Sequence, residues 1–406
     1  MPATSQIHGV LPHKGTIALL SHSLPPDPTG QARVLSKVLG DIPADKLILA
    51  TEQRTDNPAW EIKGRYVFLQ PASEKALPLP PLPGLRRLNA IMGLRRSIKL
   101  RARELAQALK PYDPAVLVGC TGTVIDPPAG LLAARELGIP YIIYSFDDYR
   151  YQWQPGIHRT VAKRWEAQLM HGADQVIVPN STFAQAYAQR YQINPSVVAN
   201  PAEPAAYAKE RLPWPFKPGA MSVVFTGSVY WGHYDALRGV AQALDALGAG
   251  ARLHIYSDQS PQTLEENSIT GPIEHHDFVQ PPDIFQVQQT ADVLLLPLSF
   301  NSSIPEAVRT ACPAKVGEYL ASGRPILAHV PPDCFVGKLF KERACAAVVD
   351  RQDKGELLNA LQRIRDDAAW REELVKNALA TAQEFTEETA RRSLGAVLAQ
   401  AMGNEA

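Results

Sequence analysis

Short apolar runs alternate with longer helical stretches along almost the whole chain, and they fall into two separate sets. The first comprises Ile17–Leu20, Leu47–Ala50, Tyr66–Leu69, Ala115–Val118, Tyr141–Tyr144 and Gln175–Val178. The second comprises Ser222–Phe225, Arg252–Tyr256, Asp292–Leu296, Arg324–Ala328 and Ala346–Val349. A strand that is apolar throughout is covered on both faces, and strands separated by helices pair in parallel. The pattern therefore predicts an α/β chain with two parallel sheets, each wrapped by helices. Between the sets, Arg211–Gly219 (RLPWPFKPG) holds three prolines and a glycine, which continue neither helix nor sheet. The expected organisation is a first domain over 1–212, a linker over 213–219, a second domain over 220–385 and a terminal helix over 386–406. The length of 406 residues suits two such domains of roughly 200 residues each.

Charge sets no global bias. With 41 basic and 41 acidic residues, the whole chain gives no argument for a nucleic-acid partner. The four cysteines, Cys120, Cys312, Cys334 and Cys345, lack C-x-x-C spacing and are too sparse for a disulfide scaffold, so a reducing cytoplasm is expected. Residues 1–15 have no apolar signal core, and no run approaches the roughly 20 apolar residues that span a bilayer.

The segment from Pro305 to Pro331 (PEAVRTACPAKVGEYLASGRPILAHVP) is the most specific. Thr310 followed by Pro313 reads as a helix start, Gly323 as its stop, and the apolar run after Pro325 as a strand. Lys315 and Glu318 are three residues apart and share a helix face. That places a cation beside an anion bound at the helix start, and a carboxylate one turn deeper, where ribose hydroxyls can donate to it.

This segment resembles the C-terminal nucleotide-sugar site of glycosyltransferase family 4, whose members belong to the GT-B class. The resemblance implies two Rossmann-like domains facing across a cleft, with a nucleoside-diphosphate sugar on the second and an acceptor on the first. It further implies a terminal helix that crosses back to the first domain, a Glu318 that holds the donor ribose, and retention of anomeric configuration. No other cofactor is expected beyond the donor substrate. The family usually shows Glu-x7-Glu, and here the first place is Thr310.

Three further loops fit the same resemblance. Pro25–Ala32 (PPDPTGQA) is similar to the family's first glycine loop, in which Gly30 lets backbone N–H groups approach a phosphate or sugar. Thr226–His233 (TGSVYWGH) is similar to the loop that contacts the donor diphosphate, through Gly227 and Ser228. Tyr230 and Trp231 there either contact donor or pack between loop and helix. Family members often carry an Arg and a Lys at this loop; here the positive charge falls to the helix start, Lys315 and Arg309. Glu274–Val279 (EHHDFV) stands where the family holds the base, and Phe278 either covers a base face or is a core aromatic.

Ser145–Tyr149 (SFDDY) follows an apolar strand and carries Asp147 and Asp148. Either one orients the reacting hydroxyl or accepts its proton, or one of them caps a helix that follows. Adjacent aspartates are not the Asp-x-Asp metal pattern, and no His/Cys cluster has ligand spacing along the chain, so no metal is expected. Gly84–Lys110 holds eight basic residues and one acidic, interleaved with Leu, Ile and Met. It reads as a helical hairpin or flap that rests on an anionic membrane or acceptor, with Arg95, Arg96 and Lys99 as the contacts, or as a solvated helix face. The resemblance implies a glycosyltransferase of class EC 2.4 acting on a glycan, lipid-linked or small-molecule acceptor. A non-catalytic binding protein on the same frame, or a nucleotide-sugar epimerase, are the alternatives.

Overall fold

The computed structural model describes residues 15–27, 29–54, 62–73, 85–207, 220–248, 250–279 and 283–403. The expected linker at 213–219 lies outside them. The chain forms two compact units, residues 1–199 with 387–406, and residues 200–386.

The first unit is a parallel sheet of β1 (Thr16–Leu20), β2 (Leu47–Thr51), β3 (Arg65–Phe68), β4 (Pro114–Cys120), β5 (Tyr141–Tyr144), β6 (Gln175–Val178) and β7 (Ser196–Val197), in the order β3-β2-β1-β4-β5-β6-β7. Helices α1 (Gly30–Leu39), α2 (Arg86–Leu109), α3 (Asp126–Leu137), α4 (Ile157–Gly172) and α5 (Ser181–Tyr191) cover it. The second unit orders β8 (Met221–Thr226), β9 (Ala251–Ser257), β10 (Ile273–Asp277), β11 (Val293–Pro297), β12 (Ile326–His329) and β13 (Ala347–Val349) as β10-β9-β8-β11-β12-β13, all pairs parallel. Its helices are α6 (Tyr234–Leu247), α7 (Pro261–Glu266), α8 (Asp283–Gln289), α9 (Pro305–Thr310), α10 (Lys315–Ala321), α11 (Phe335–Glu342), α12 (Lys354–Asp366) and α13 (Ala368–Ala382). The chain then returns to the first unit as α14 (Glu387–Ala401).

In each sheet the strand order reverses once, between β1 and β4 and between β8 and β11. The loops leaving the carboxyl ends of those strands diverge there and open a crevice for ligand. The central strands are buried on both faces, as β2 and β11 show at every position. Edge strands differ. β10 has the sequence IEHHD and is half exposed, so no apolar run announces it.

Three expectations are corrected. The first unit ends at Ala199 rather than at 212, because the segment after Asn200 packs into the second unit. There Ala202 N–H donates to the Phe385 carbonyl at 2.7 Å, and the Tyr207 hydroxyl bonds the Gln288 side chain. The basic stretch is not a hairpin or flap: α2 is one 24-residue helix whose Leu94, Ile98, Ala102, Leu105 and Leu109 are core. The helix expected to start at Thr310 and Pro313 is two helices. Pro313 explains the break, since a proline disfavours the helical conformation of the residue before it, here Cys312. Thr310 ends α9, its hydroxyl donating to the Glu306 carbonyl at 3.1 Å, and α10 begins two residues past Pro313.

α14 is held by both apolar and polar contacts. Ala390, Leu394, Val397 and Leu398 join Leu35 and Val38 of α1 in one cluster. Arg391 closes the end of α1, donating to the Lys37 carbonyl at 2.7 Å and pairing with Asp41 at 2.9 Å. All four cysteines are free thiols, three of them buried.

Candidate functional site

In the second unit, the crevice side of the sheet begins where β8 runs into Gly227. Its φ of +118° suits glycine, and a Cβ there would lie 3.0 Å from Lys315 Nζ. The Lys315 ammonium sits 3.9 Å from the centre of the Phe225 ring, a cation–π contact that keeps the charge beside this turn. Behind it, the Tyr319 hydroxyl accepts from Thr226 N–H at 3.1 Å and meets Thr226 Oγ1 at 3.1 Å. Gln288 Nε2 donates to Thr226 Oγ1 at 3.3 Å and to Glu318 Oε2 at 3.1 Å. Glu318 is only 3% exposed, so its carboxylate is held in place by packing and by Gln288 rather than waving in solvent.

α10 approaches the chain after Asn200 closely: a Cβ on Gly317 would stand 2.7 Å from the Ala202 Cβ. The turn before α10 is fixed by Asn200 Nδ2, which donates to the Cys312 carbonyl at 2.8 Å. Lys315 and Glu318 thus stand on one short helix whose position is tied to β8 and to the 200–207 segment. Thr310 brings no carboxylate, being buried at the end of α9. Arg309 is half buried on the same helix.

Within the loop after β8, Ser228 is exposed, and so are Tyr230 at 43% and Trp231 at 36%, which answers whether the two aromatics are core. Tyr230 meets His233 edge to face, ring centres 4.3 Å apart and planes inclined at 60°. His233 is buried, with Nδ1 lacking a hydrogen-bond partner among the described residues. Burial, then the Lys315 charge, hold its pKa well below the ordinary histidine value, against the opposing pull of a backbone hydrogen bond at Ser228; the ring is neutral near pH 7. Phe278 is half buried just past the end of β10.

In the first unit, the loops after β1, β4 and β5 share one end of adjacent strands. The loop after β1 is tightly wired. Ser23 Oγ donates to Asp27 Oδ2 at 2.9 Å and bonds Thr29 Oγ1, while Gln53 Nε2 reaches the same Asp27 oxygen at 3.1 Å. Thr29 caps α1, so Gly30 is that helix's first residue and is exposed. After β4, Gly122 has a φ of +129°, and a Cβ there would overlap the His22 imidazole. His22 is half buried, with Nδ1 lacking a partner among the described residues. Burial lowers its pKa, while Asp27 and Glu52 oppose that shift.

His22 is absent from the residues that the sequence singles out. The available signal is a histidine two residues past the first strand, at the place where the strand order reverses.

After β5 the aspartates part company. Asp148 is 1% exposed and ion-paired to Arg190 at 3.0 Å, with Oδ1 accepting from the N–H groups of Arg150 at 3.2 Å and Tyr151 at 3.1 Å. Arg190 also holds the buried Glu166, whose pKa is pushed up to about 7 by burial and then by the Asp148 charge. Asp147 is exposed. Crowding by surrounding protein, then Asp148, lift its carboxyl above the ordinary range, and its exposure to water screens much of that lift. Thr121 Oγ1 accepts from Phe146 N–H at 2.9 Å and so fastens the start of this loop to the end of β4.

Strand pairing also brings together residues that chain spacing hides. His254 on β9 and Glu274 and His276 on β10 each offer a ligand atom, all within 4.8 Å of one another. The expectation that no histidine cluster has ligand spacing holds only along the chain.

Two family models match the chain in sequence order. One described as "Glycosyl transferase 4-like domain" matches residues 47–201, and one described as "Glycosyl transferases group 1" matches residues 220–367. No curated protein sequence matches the chain. Among solved structures, a glycosyltransferase from Rickettsia africae ESF-5 superposes with a TM-score of 0.68 at 11% identity, covering 97% of this chain and 100% of that one. Sucrose-phosphate synthase from Thermosynechococcus elongatus gives 0.68 at 17% identity, again over 97% and 100%. HepE from Anabaena, solved in complex with UDP-glucose, gives 0.64 at 14% identity over 93% and 97%. With two parallel sheets that each reverse once, and with both family domains in the same order along the sequence, the chain belongs to the group 1 glycosyltransferases of GT-B fold, transferases of class EC 2.4.

Proposed function

We propose that the chain moves a sugar from a nucleoside-diphosphate sugar held on the second unit to a glycan, lipid-linked or small-molecule hydroxyl presented at the first. The observation that carries this reading is the assembly of Glu318, Gln288, Thr226, Gly227 and Lys315 around the end of β8. A buried carboxylate held by a side-chain amide can accept from both hydroxyls of a ribose. The Lys315 ammonium beside a glycine turn stabilises the negative charge that builds on the leaving diphosphate as the glycosidic bond breaks. Gly227 and Ser228 offer backbone to the same phosphates, Gly30 lets the first unit's loop approach sugar or acceptor, and Tyr230 and Phe278 flank the donor.

HepE of Anabaena has been solved with UDP-glucose and with UDP, which favours a uridine nucleotide among the bases. Asp147 is the exposed carboxylate assigned to the reacting hydroxyl. Asp148, ion-paired to Arg190 and accepting from the Arg150 and Tyr151 N–H groups, fixes the turn beside Asp147. Retention follows the family resemblance, and the diphosphate's charge is assigned to Lys315 rather than to a metal. Four free thiols suit a reducing cytoplasm.

A surface observation favours peripheral membrane contact as well. The exposed side of α2 carries Leu88, Met92 and Leu100 together with Arg96, Lys99 and Arg103, while Arg95 is half buried. Among the described residues no helix is long and apolar enough to cross a membrane.

Calorimetric titration with UDP, GDP, ADP and their glucose conjugates tests the donor assignment. One nucleotide is expected to bind, and Glu318→Ala is expected to weaken it and to abolish transfer. Full turnover by Glu318→Ala would remove the proposed role, and binding without any hydrolysis or transfer would favour a binding protein.

A further inference from the structure

β9 and β10 pair in parallel with Glu274 beside His254 and His276 beside Tyr256. Side chains at paired positions of neighbouring strands point the same way. His254, Glu274 and His276 therefore share the sheet face opposite Leu253 and Ile255, which lie in the core with α6. The two imidazoles stack at 21°, ring centres 5.3 Å apart, with His254 Nδ1 3.0 Å from His276 Nε2. Glu274 Oε2 lies 3.5 Å from the same His254 nitrogen. The Tyr256 ring stacks on His276 at 4.3 Å and fixes its plane. Arg252 stands 3.9 Å from the other Glu274 oxygen, leaving Oε2 facing the histidines.

We propose that His254, His276 and Glu274 bind one divalent transition-metal ion of the zinc class, clipping the edge strand β10 to β9. Two imidazole nitrogens and one carboxylate oxygen suit zinc, nickel or copper rather than magnesium or calcium. Ligand atoms at about 2.0–2.2 Å from a tetrahedral ion stand about 3.3–3.5 Å from each other. The observed 3.0 and 3.5 Å separations need only small rotations to reach that arrangement. Three protein ligands leave a coordination position for water. His254 and Glu274 lie three residues back from the carboxyl ends of their strands and His276 one residue back, so the cluster sits on the sheet face just before the loop that carries Phe278. An edge strand has one unpaired side, and a metal clip compensates for the pairing it lacks.

The full chain, stripped with a chelator, would be titrated with cobalt(II) and with zinc. Wild type is expected to bind one more ion than His254→Gln or His276→Gln, with visible d–d absorption from cobalt, and to gain thermal stability on adding zinc that both variants lack. Glu274→Gln changes an exposed ligand that the fold does not need. It is expected to keep the native circular dichroism and to lose at least about tenfold in zinc affinity, since even outer partners of a metal ligand are worth that much. Equal stoichiometry, affinity and thermal shift in wild type and Glu274→Gln would overturn the site. So would the absence of binding at equimolar metal.

Discussion

Asp147 and Asp148 stand side by side in the bend that follows β5, and the bend sends their side chains to different surroundings. One carboxylate meets solvent, while the other meets Arg190 at 3.0 Å in a buried network with Glu166. Removing one partner of such a network leaves uncompensated buried charge. Asp148→Ala is therefore expected to lower stability by about 3 kcal/mol. Asp147→Asn is expected to leave stability within about 0.5 kcal/mol of wild type, as for other surface changes, and to lower kcat. Denaturant unfolding beside initial-rate kinetics checks both, and undiminished turnover by Asp147→Asn would withdraw its assignment.

Asp126 offers a pH-dependent case. It is buried against Arg101, Nε to Oδ1 3.4 Å, and burial, only partly offset by that guanidinium, raises its pKa from 3.8 to about 6. The folded state then holds the proton more tightly than the unfolded chain does. Its contribution is neutral below about pH 4 and becomes a penalty as pH climbs through about 4 to 6. At about 1.4 kcal/mol per pK unit the penalty approaches 3 kcal/mol above about pH 6. Asp126→Asn is expected to gain stability relative to wild type between about pH 4 and pH 7. A pH-independent difference would show that Arg101 keeps the carboxyl ionised throughout.

Among the elements, α2 combines two roles that its composition alone does not separate. Leu94, Ile98 and Leu105 face the core, and Arg101 is buried between Glu52 at 2.7 Å and Glu104 at 3.1 Å, so this arginine is spent inside the fold. Arg96, Lys99 and Arg103 remain on the outer face with Leu88 and Leu100. Each basic side chain near an anionic bilayer is worth about 1 kcal/mol, so Arg96→Gln with Lys99→Gln is expected to weaken binding to phosphatidylserine vesicles roughly thirtyfold at low salt. Unchanged pelleting would leave α2 as a solvated face. Burial decides in the same way which strands are legible in the sequence. Central strands such as β1, β5 and β11 are readable because burial on both faces forces continuous apolar runs. β10 is not, because its IEHHD sequence carries no apolar run, and His254 and His276 meet only through its register. The turn chemistry at Pro313 looks like a helix start, whereas it marks the break before one. Lys315 and Glu318 nonetheless fall on one helix, because a three-residue spacing survives a shifted start.

At the level of the whole molecule, two cores are built from separate stretches of chain, and α14 belongs to the first although it follows the second. Two cores of this kind need not unfold as one transition. A nucleotide that binds only the folded second unit raises that unit's stability by about 2.7 kcal/mol at about a hundred times its dissociation constant. The first unit has no share in that term. Removing residues 387–406 acts in the opposite sense, stripping Leu394, Val397 and Leu398 from the cluster that includes Leu35 and Val38 and deleting the Arg391 cap of α1. At about 1.5–3 kcal/mol per buried aliphatic side chain, the three together approach the whole stability of a typical domain. The chain truncated after Thr386 is therefore expected to lose the first unit's calorimetric transition while the second unit still melts cooperatively and still binds UDP with wild-type affinity. Loss of UDP binding in a truncated chain whose second transition persists would mean that the first unit carries part of the donor site, and Lys315 and Glu318 alone would no longer account for it.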